Sequence, residues 1–468
     1  MLFPTVAFAV FFAVVLPAHW LLRAFPRLWS VGLVVASLVF YGWWDWAYVP
    51  LLVGSIVVND LLGRGIHRAR THGAALGHRF LVAAGVVGNL LLLAWFKYAG
   101  FFAYNVWNPL PGPDVGGDGL AAIVLPVGIS FFTFQAISYV IDVGRGEEPA
   151  ANLLEFAVYL SFFPQLVAGP IVRASELLPQ LRQRLDPRYV LVGPGLWLIG
   201  AGLFKKVVIA SFLADQIVDP VFAVPEAHSG WEVFWGVLGY AVQIYADFSG
   251  YTDIAIGVAL LLGFRFPQNF DAPYTAASLQ DFWRRWHMTL SRWLRDYLYI
   301  PLGGNRGGEV ATYRNLFLTM VLGGLWHGAA WTFVIWGAIH GTVLGIERRF
   351  GTGRASWWSR GRTFGIVCVA WVFFRATDVE RAVAVLRQVV TGGLEHAHPG
   401  ATLVHPLVPV VVVGMIALQF VPWATVQRAQ HWVAARPLAL QGAAAGAALM
   451  VIDALGPEGI APFIYFRF

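Results

Sequence analysis

A chain of 468 residues that is 58% hydrophobic and only 12% charged cannot fold as an ordinary water-soluble protein, and reads instead as a polytopic helical membrane protein. Its 32 basic residues exceed the 26 acidic ones, and all but Lys97, Lys205 and Lys206 are arginines that flank apolar runs; this suits anionic headgroups and a polyanionic small molecule, and no soluble basic domain is left over to bind nucleic acid. Cys368 is the only cysteine, which excludes an internal disulfide and a thiolate metal or iron–sulfur centre.

The first apolar run, at about 4–22, carries no positive residue before it, and Arg23 follows it. A cleavable signal peptide is charged the other way round, so a first anchor helix is expected. Further runs at about 30–47, 48–62, 80–103, 120–142, 152–172, 189–214, 231–262, 313–346, 361–376, 403–422 and 438–455 give ten to thirteen spans, with about eleven as the working number. Residues 63–79 hold four arginines whereas 104–119 hold two aspartates and no basic residue, so the first loop is expected inside and the second outside. The same rule puts 264–306, with six arginines against three aspartates, on the cytoplasmic side. Four arginines at 173–188 ask for that side as well, and simple alternation denies it to them. SFFPQLVAGPIV, broken by Pro164, Gly169 and Pro170, is therefore expected to re-enter instead of spanning. No repeat or low-complexity tract divides the chain, and residues 1–468 read as one domain.

The richest stretch runs from Ser278 to His340. A helix capped by Ser278 and Asp281 would put Trp283, Trp286, His287, Leu290, Trp293, Leu294 and Tyr297 on one face, with Arg284, Arg285, Arg292 and Arg295 mostly on the rest. Such a helix lies at a membrane interface, with His287 near the boundary between water and lipid, and Pro301 with the glycines from Gly303 to Gly308 ends it. Residues 315–346 then carry no charge. As one helix they would span about 48 Å against a hydrocarbon core of roughly 30 Å, so a break is expected, at Gly323–Gly324, with His327 just after it. An ionisable side chain at membrane depth is a functional candidate by default. His340, thirteen residues on, would point away from His327 on a continuous helix and reads as structural. Asp247 and Asp253 read as a polar network joining helices rather than a proton relay. His67, His72 and His78, like His396, His398 and His405, lack cysteines or carboxylates at ligand spacing and read as loop residues, with no metal site.

The run QNFDAPYTAASLQDFWRRWHMTLSRWLRDYLYIPLGGNR followed by LGGLWHGAAW resembles the membrane-bound O-acyltransferase family, in its bacterial alginate O-acetyltransferase-like branch. LPVGISFFTFQAISYVID, FPQLVAGPIVR, YADFSGYTDIAIG, WVFFRA and the closing FIYFRF agree, so the resemblance covers nearly the whole chain. It implies an all-α, multi-pass protein of the bacterial inner membrane, with re-entrant and interfacial helices around a central tunnel. The expected reaction takes acetyl from cytoplasmic acetyl-CoA, a cosubstrate and not a bound cofactor, toward an extracytoplasmic polysaccharide. Transfer would be direct or through an SGNH-type acetyltransferase partner. Peptidoglycan, another glycan or a small molecule is the alternative acceptor; a proton-coupled transporter is the alternative of a different class. The resemblance marks His327 as the catalytic histidine and His287 as the second family position, whose bland reading is a helix anchor. Asn269, Trp283, Trp286, Asp296, Asn305, Trp326 and Trp331 of the same motifs are the candidate substrate contacts, together with the arginines below.

A thioester does not supply the removal of the acceptor's hydroxyl proton, which a neutral imidazole performs near pH 7. His327, set among Trp326, Trp331 and Phe333, is expected to be that base. No Gly-x-Ser-x-Gly elbow is present, which leaves direct attack as the simpler route. Arg284, Arg285, Arg292, Arg295 and Arg306 offer planar donors suited to the phosphates of coenzyme A, or to lipid headgroups.

Overall fold

The structure, a computed structural model, describes residues 1–107, 123–183, 186–393 and 404–456. Most of the expected external loop at 104–119 lies outside the described residues, as do Arg184, His396, His398 and the FIYFRF motif. Among the described residues there are helices and no strand. The chain forms two compact units, Met1–Gly195 with Ala255–Pro267, and Leu196–Ile254 with Gln268–Phe468.

The first unit opens with α1 (Val6–Leu22), capped by the Thr5 hydroxyl on the Phe8 amide, and α2 (Pro26–Gly42). Next come α3 (Val49–Thr71), α4 (Ala75–Phe102) and α5 (Ile129–Arg145). Asn59 of α3 and Asn89 of α4 are buried in these apolar helices and satisfy each other, the Asn89 amide donating to Asn59 Oδ1 at 2.8 Å. His67 and His78 lie on α3 and α4 and His72 caps the first of them, not in an open loop as expected. After α6 (Leu153–Ser161), the stretch expected to re-enter makes only the four-residue α7 (Phe163–Leu166) before α8 (Ala174–Arg182). All of residues 162–172 are buried, and their freed backbone groups find partners: Phe163 N donates to Ser37 Oγ at 3.2 Å, and Gln165 Nε2 to Tyr159 O at 2.6 Å. The stretch is thus broken as expected, with Pro164 in the first turn of α7 and Pro170 beyond its end.

Two long helices, α9 (Val192–Ala223) and α10 (Gly230–Leu261), lead into the second unit. With Trp46–Thr71 and Ala75–Asn105 they make four helices, among the described residues, that are long and apolar enough to cross a membrane. That is fewer than the eleven or so expected by counting apolar runs, because α1 and α2 have only 17 residues each, and the helices at 308–327, 331–350 and 357–375 are long enough but not apolar enough. Lys206 pairs with Asp247 in a buried ion pair between α9 and α10, and Lys205 reaches Asp253 at 2.6 Å. The two aspartates therefore do join helices, and all three lysines, Lys97 of α4 included, sit inside helices instead of in connecting segments.

In the motif region, α11 (Leu279–Arg285) and α12 (Met288–Leu294) precede α13 (Gly308–His327) and α14 (Trp331–Phe350). Then follow α15 (Trp357–Arg375), α16 (Val379–Thr391), α17 (Leu407–Leu418), α18 (Trp423–Ala434) and α19 (Leu438–Leu455). Arg375 of the WVFFRA motif donates to Asp219 at 2.6 Å and lies over the Phe222 ring, tying α15 to the end of α9.

Candidate active site

The amphipathic pattern predicts one helix through His287, but the chain turns there. Trp286 and His287 separate α11 from α12, His287 takes a left-handed backbone with φ of 42°, and a π-type turn at Arg295–Tyr299 follows. A broken helix leaves backbone groups to satisfy, and an upstream segment supplies the partners. The Arg285 carbonyl accepts from Asp271 N at 2.9 Å, and Met288 N donates to the Asn269 carbonyl at 2.9 Å. Periodicity could not reveal this, because the compensating bonds come from residues some 14 to 19 positions away. The consequence is that His287 has 0% of its surface exposed and lies inside the unit's packing, not at the boundary between water and lipid.

Ser278 caps α11 as expected, its hydroxyl accepting from Asp281 N at 3.1 Å, whereas the Asp281 carboxylate turns to Arg285 at 2.8 Å. The remaining first-turn amides are taken by Glu347, whose two oxygens accept from Leu279 N at 2.6 Å and Gln280 N at 3.0 Å. The sequence reading missed Glu347. Its one signal was position, as the first charge after the uncharged run 315–346.

Asn269 is 1% exposed and grips the turn by its side chain as well. Its Oδ1 lies 3.2 Å from His287 Nδ1, 3.1 Å from Thr289 N and 2.9 Å from Thr289 Oγ1. The His287 ring meets Phe248 edge to face at 4.7 Å between centroids, and the Trp326 indole at 6.2 Å.

His327 is the last residue of α13. The helix runs through Gly323 and Gly324, and the break falls later, at residues 328–330, because Gly324 serves close packing against the α14 backbone, and Gly323 lies against the Leu294 side chain of α12, instead of bending. Trp326, Trp336 and Phe374 stand against the His327 ring at 5.0, 5.1 and 5.1 Å. Trp331, expected to bury it, is 51% exposed. With α14 folded back on α13, His340 does not point away as a continuous helix would require. Its ring lies 4.6 Å from Trp336, the same indole that meets His327, and its Nδ1 accepts from Trp283 Nε1 at 3.2 Å. The structure thus joins His287, Trp326, His327, Trp336, His340 and Trp283 in one aromatic chain.

The other candidates separate from this centre. Trp286 is buried between Phe270 and Trp371. Arg285 is held by Asp281 and lies 3.8 Å from Asp271, and Arg295 donates to its neighbour Asp296 at 2.6 Å. Arg284, Asn305 and Arg306 are exposed, and Arg292 is half-buried. Trp336, Phe374 and Thr289 belong to the constellation although none was a candidate; Phe374 lies in WVFFRA and Thr289 just after the WH pair, so motif membership was the signal for those two.

Residues 146–373 match the profile of the MBOAT, membrane-bound O-acyltransferase family, a span that contains every member of this aromatic chain. The chain belongs to that family, and is a multi-pass membrane O-acyltransferase. A probable alginate O-acetylase of Pseudomonas aeruginosa is 45% identical over 366 residues, which cover 76% of this chain and 68% of that protein. The peptidoglycan O-acetyltransferase of Helicobacter pylori is 40% identical over 405 residues, 78% of this chain and 74% of its own. A teichoic acid D-alanyltransferase of Streptococcus thermophilus is more distant, at 29% over 259 residues, 49% of this chain and 58% of its own. The resemblance carried by the motifs therefore holds for the family and for its O-acetylating branch.

Proposed function

We propose that the protein takes acetyl from cytoplasmic acetyl-CoA and passes it across the bacterial inner membrane to a polysaccharide hydroxyl, directly or through an SGNH-type partner whose serine carries the group. The names of the relatives, an alginate O-acetylase and a peptidoglycan O-acetyltransferase, support an extracytoplasmic glycan as acceptor. The observation that carries the reading is the enclosure of His327 by Trp326, Trp336 and Phe374, with the second histidine, His287, against the same Trp326.

In this reaction the acceptor oxygen attacks the thioester carbonyl carbon while the His327 imidazole takes the hydroxyl proton, a role typically worth about 10²- to 10⁴-fold. Collapse of the tetrahedral intermediate breaks the carbon–sulfur bond, and the leaving thiolate recovers the proton from the imidazolium, so that free coenzyme A departs and the acetyl ester remains. The transient imidazolium forms at the carbonyl end of a 20-residue helix, where the backbone dipole favours positive charge. Arg284, Arg285, Arg292, Arg295 and Arg306 line the donor's approach and bind its phosphates.

The test is thiol release from acetyl-CoA and acetylation of alginate oligosaccharides by purified protein. His327→Ala should abolish both while leaving folding near normal, and retained acetylation would remove His327 from its role. Arg306→Glu should raise the KM for acetyl-CoA; an unchanged KM would free the exposed arginines of the donor assignment.

A further inference from the structure

We infer that Asn269 is a positioning residue that holds His287 in the tautomer protonated on Nδ1, so that its bare Nε2 receives a hydrogen bond from the attacking hydroxyl. The inference rests on the acyl-transfer reading above and assigns the second histidine a part in it.

The protonation follows from bonding alone. Thr289 N is a backbone amide and can only donate, so the Asn269 side-chain atom 3.1 Å from it is the oxygen, whichever way the amide might otherwise be turned. That same oxygen lies 3.2 Å from His287 Nδ1. An amide oxygen only accepts, so Nδ1 carries the hydrogen. In a neutral imidazole Nε2 is then a lone pair.

That lone pair is fully buried and has no hydrogen-bond partner among the described residues. An unsatisfied buried polar atom costs about 1–3 kcal/mol, and its persistence in a folded protein asks for an explanation. Nor can the ring swing to find a partner. Its backbone is fixed in the left-handed region, the following amide is bonded to the Asn269 carbonyl, and Phe248 packs edge-on against the ring. What completes the site is a donor that arrives with the reaction. A group able only to accept cannot stabilise the oxyanion, which needs donors. It can orient an O–H, and the two imidazoles around Trp326 then divide the work: His287 aims the hydroxyl and His327 removes its proton.

The decisive measurement is the nitrogen-15 shift of His287 in detergent-solubilised full-length protein, its signal identified by loss in His287→Gln. The expected spectrum shows Nδ1 protonated and Nε2 bare in wild type. Asn269→Asp keeps the accepting oxygen and should keep the pattern. Thr289→Val removes a different donor from that oxygen and should keep it too. Asn269→Ala should scramble the tautomers and lower kcat for thiol release from acetyl-CoA by about a hundredfold, with KM for acetyl-CoA within twofold. A protonated Nε2 in wild type, or an unchanged tautomer in Asn269→Ala, overturns the inference. A rise in the KM for acetyl-CoA without a fall in kcat overturns the assignment to the hydroxyl. If Asn269→Ala does not fold, the wild-type and Asn269→Asp spectra still decide the tautomer. Absence of thiol release from wild-type protein would defeat the acyl-transfer reading and leave the tautomer standing on the spectra.

Discussion

A methyl group on Gly324 would lie 2.2 Å from the backbone carbonyl oxygen of Phe333. The reciprocal approach is as tight, since one on Gly337 would lie 2.4 Å from the Met320 carbonyl oxygen. Neither obstacle is a side chain that could swing aside, so α13 and α14 meet backbone to backbone. Gly324→Ala should therefore destabilise by about 1–3 kcal/mol or more, and should lower transfer as well because His327 ends the displaced helix. Gly361→Ala, where the added carbon meets nothing within 4 Å, should be neutral or slightly stabilising. Thermal unfolding in detergent and thiol release from acetyl-CoA measure both; equal behaviour of the two variants would refute the packing argument.

Glu347 takes two amides that would otherwise open α11 unsatisfied. Glu347→Ala leaves the buried Leu279 N and the part-buried Gln280 N without their acceptor and should cost about 1–3 kcal/mol. Glu347→Gln keeps one accepting oxygen and should recover part of that stability. Protease resistance of the 278–294 stretch reads the effect locally, and full resistance of the alanine variant would deny Glu347 its cap.

The Lys206–Asp247 pair makes opposite predictions for one substitution and for two. Asp247→Leu alone deprives a buried ammonium of its carboxylate and should cost about 3–5 kcal/mol, whereas adding Lys206→Met should restore most of the loss. A double variant as unstable as the single would mean that charge, and not mere satisfaction, is required between α9 and α10.

Asp378 caps α16, and the hydrogen bond it accepts from Arg381 N holds its carboxyl below the usual aspartate range. A carboxyl depressed in the folded state stabilises above the unfolded value of 3.8, and that stability is lost as pH falls through the folded value. Asp378→Asn should keep the cap and remove this acid sensitivity, and Asp378→Ala should cost roughly 0.5–2 kcal/mol at neutral pH. Unfolding of the three proteins between pH 7 and pH 3 checks the sign.

What the sequence could carry was chemistry and local order. Ser278 as a cap, the stop at Pro301, the irregular stretch around Pro164 and the helix-joining aspartates all follow from short-range rules, and all appear. What it hid was compensation over distance. The break at His287 exists because Asn269 and Asp271 complete its backbone bonds, and Gly323–Gly324 stays helical because a second helix presses on Gly324. Glycine pairs permit a bend and a close approach alike, and only the partner decides between them. The direction of His340 was hidden for the same reason, since a hairpin and not a straight rod connects it to His327.

One indole, that of Trp336, forms a common wall for His327 at 5.1 Å and His340 at 4.6 Å. The two imidazoles are consequently not independent dials. Trimming that indole, to admit a bulkier acyl group where the proposed function puts it beside His327, also withdraws the support under His340, and through it the seat of Trp283. Any effort to widen the donor range of this enzyme at position 336 must therefore compensate on the far side of the ring in the same step.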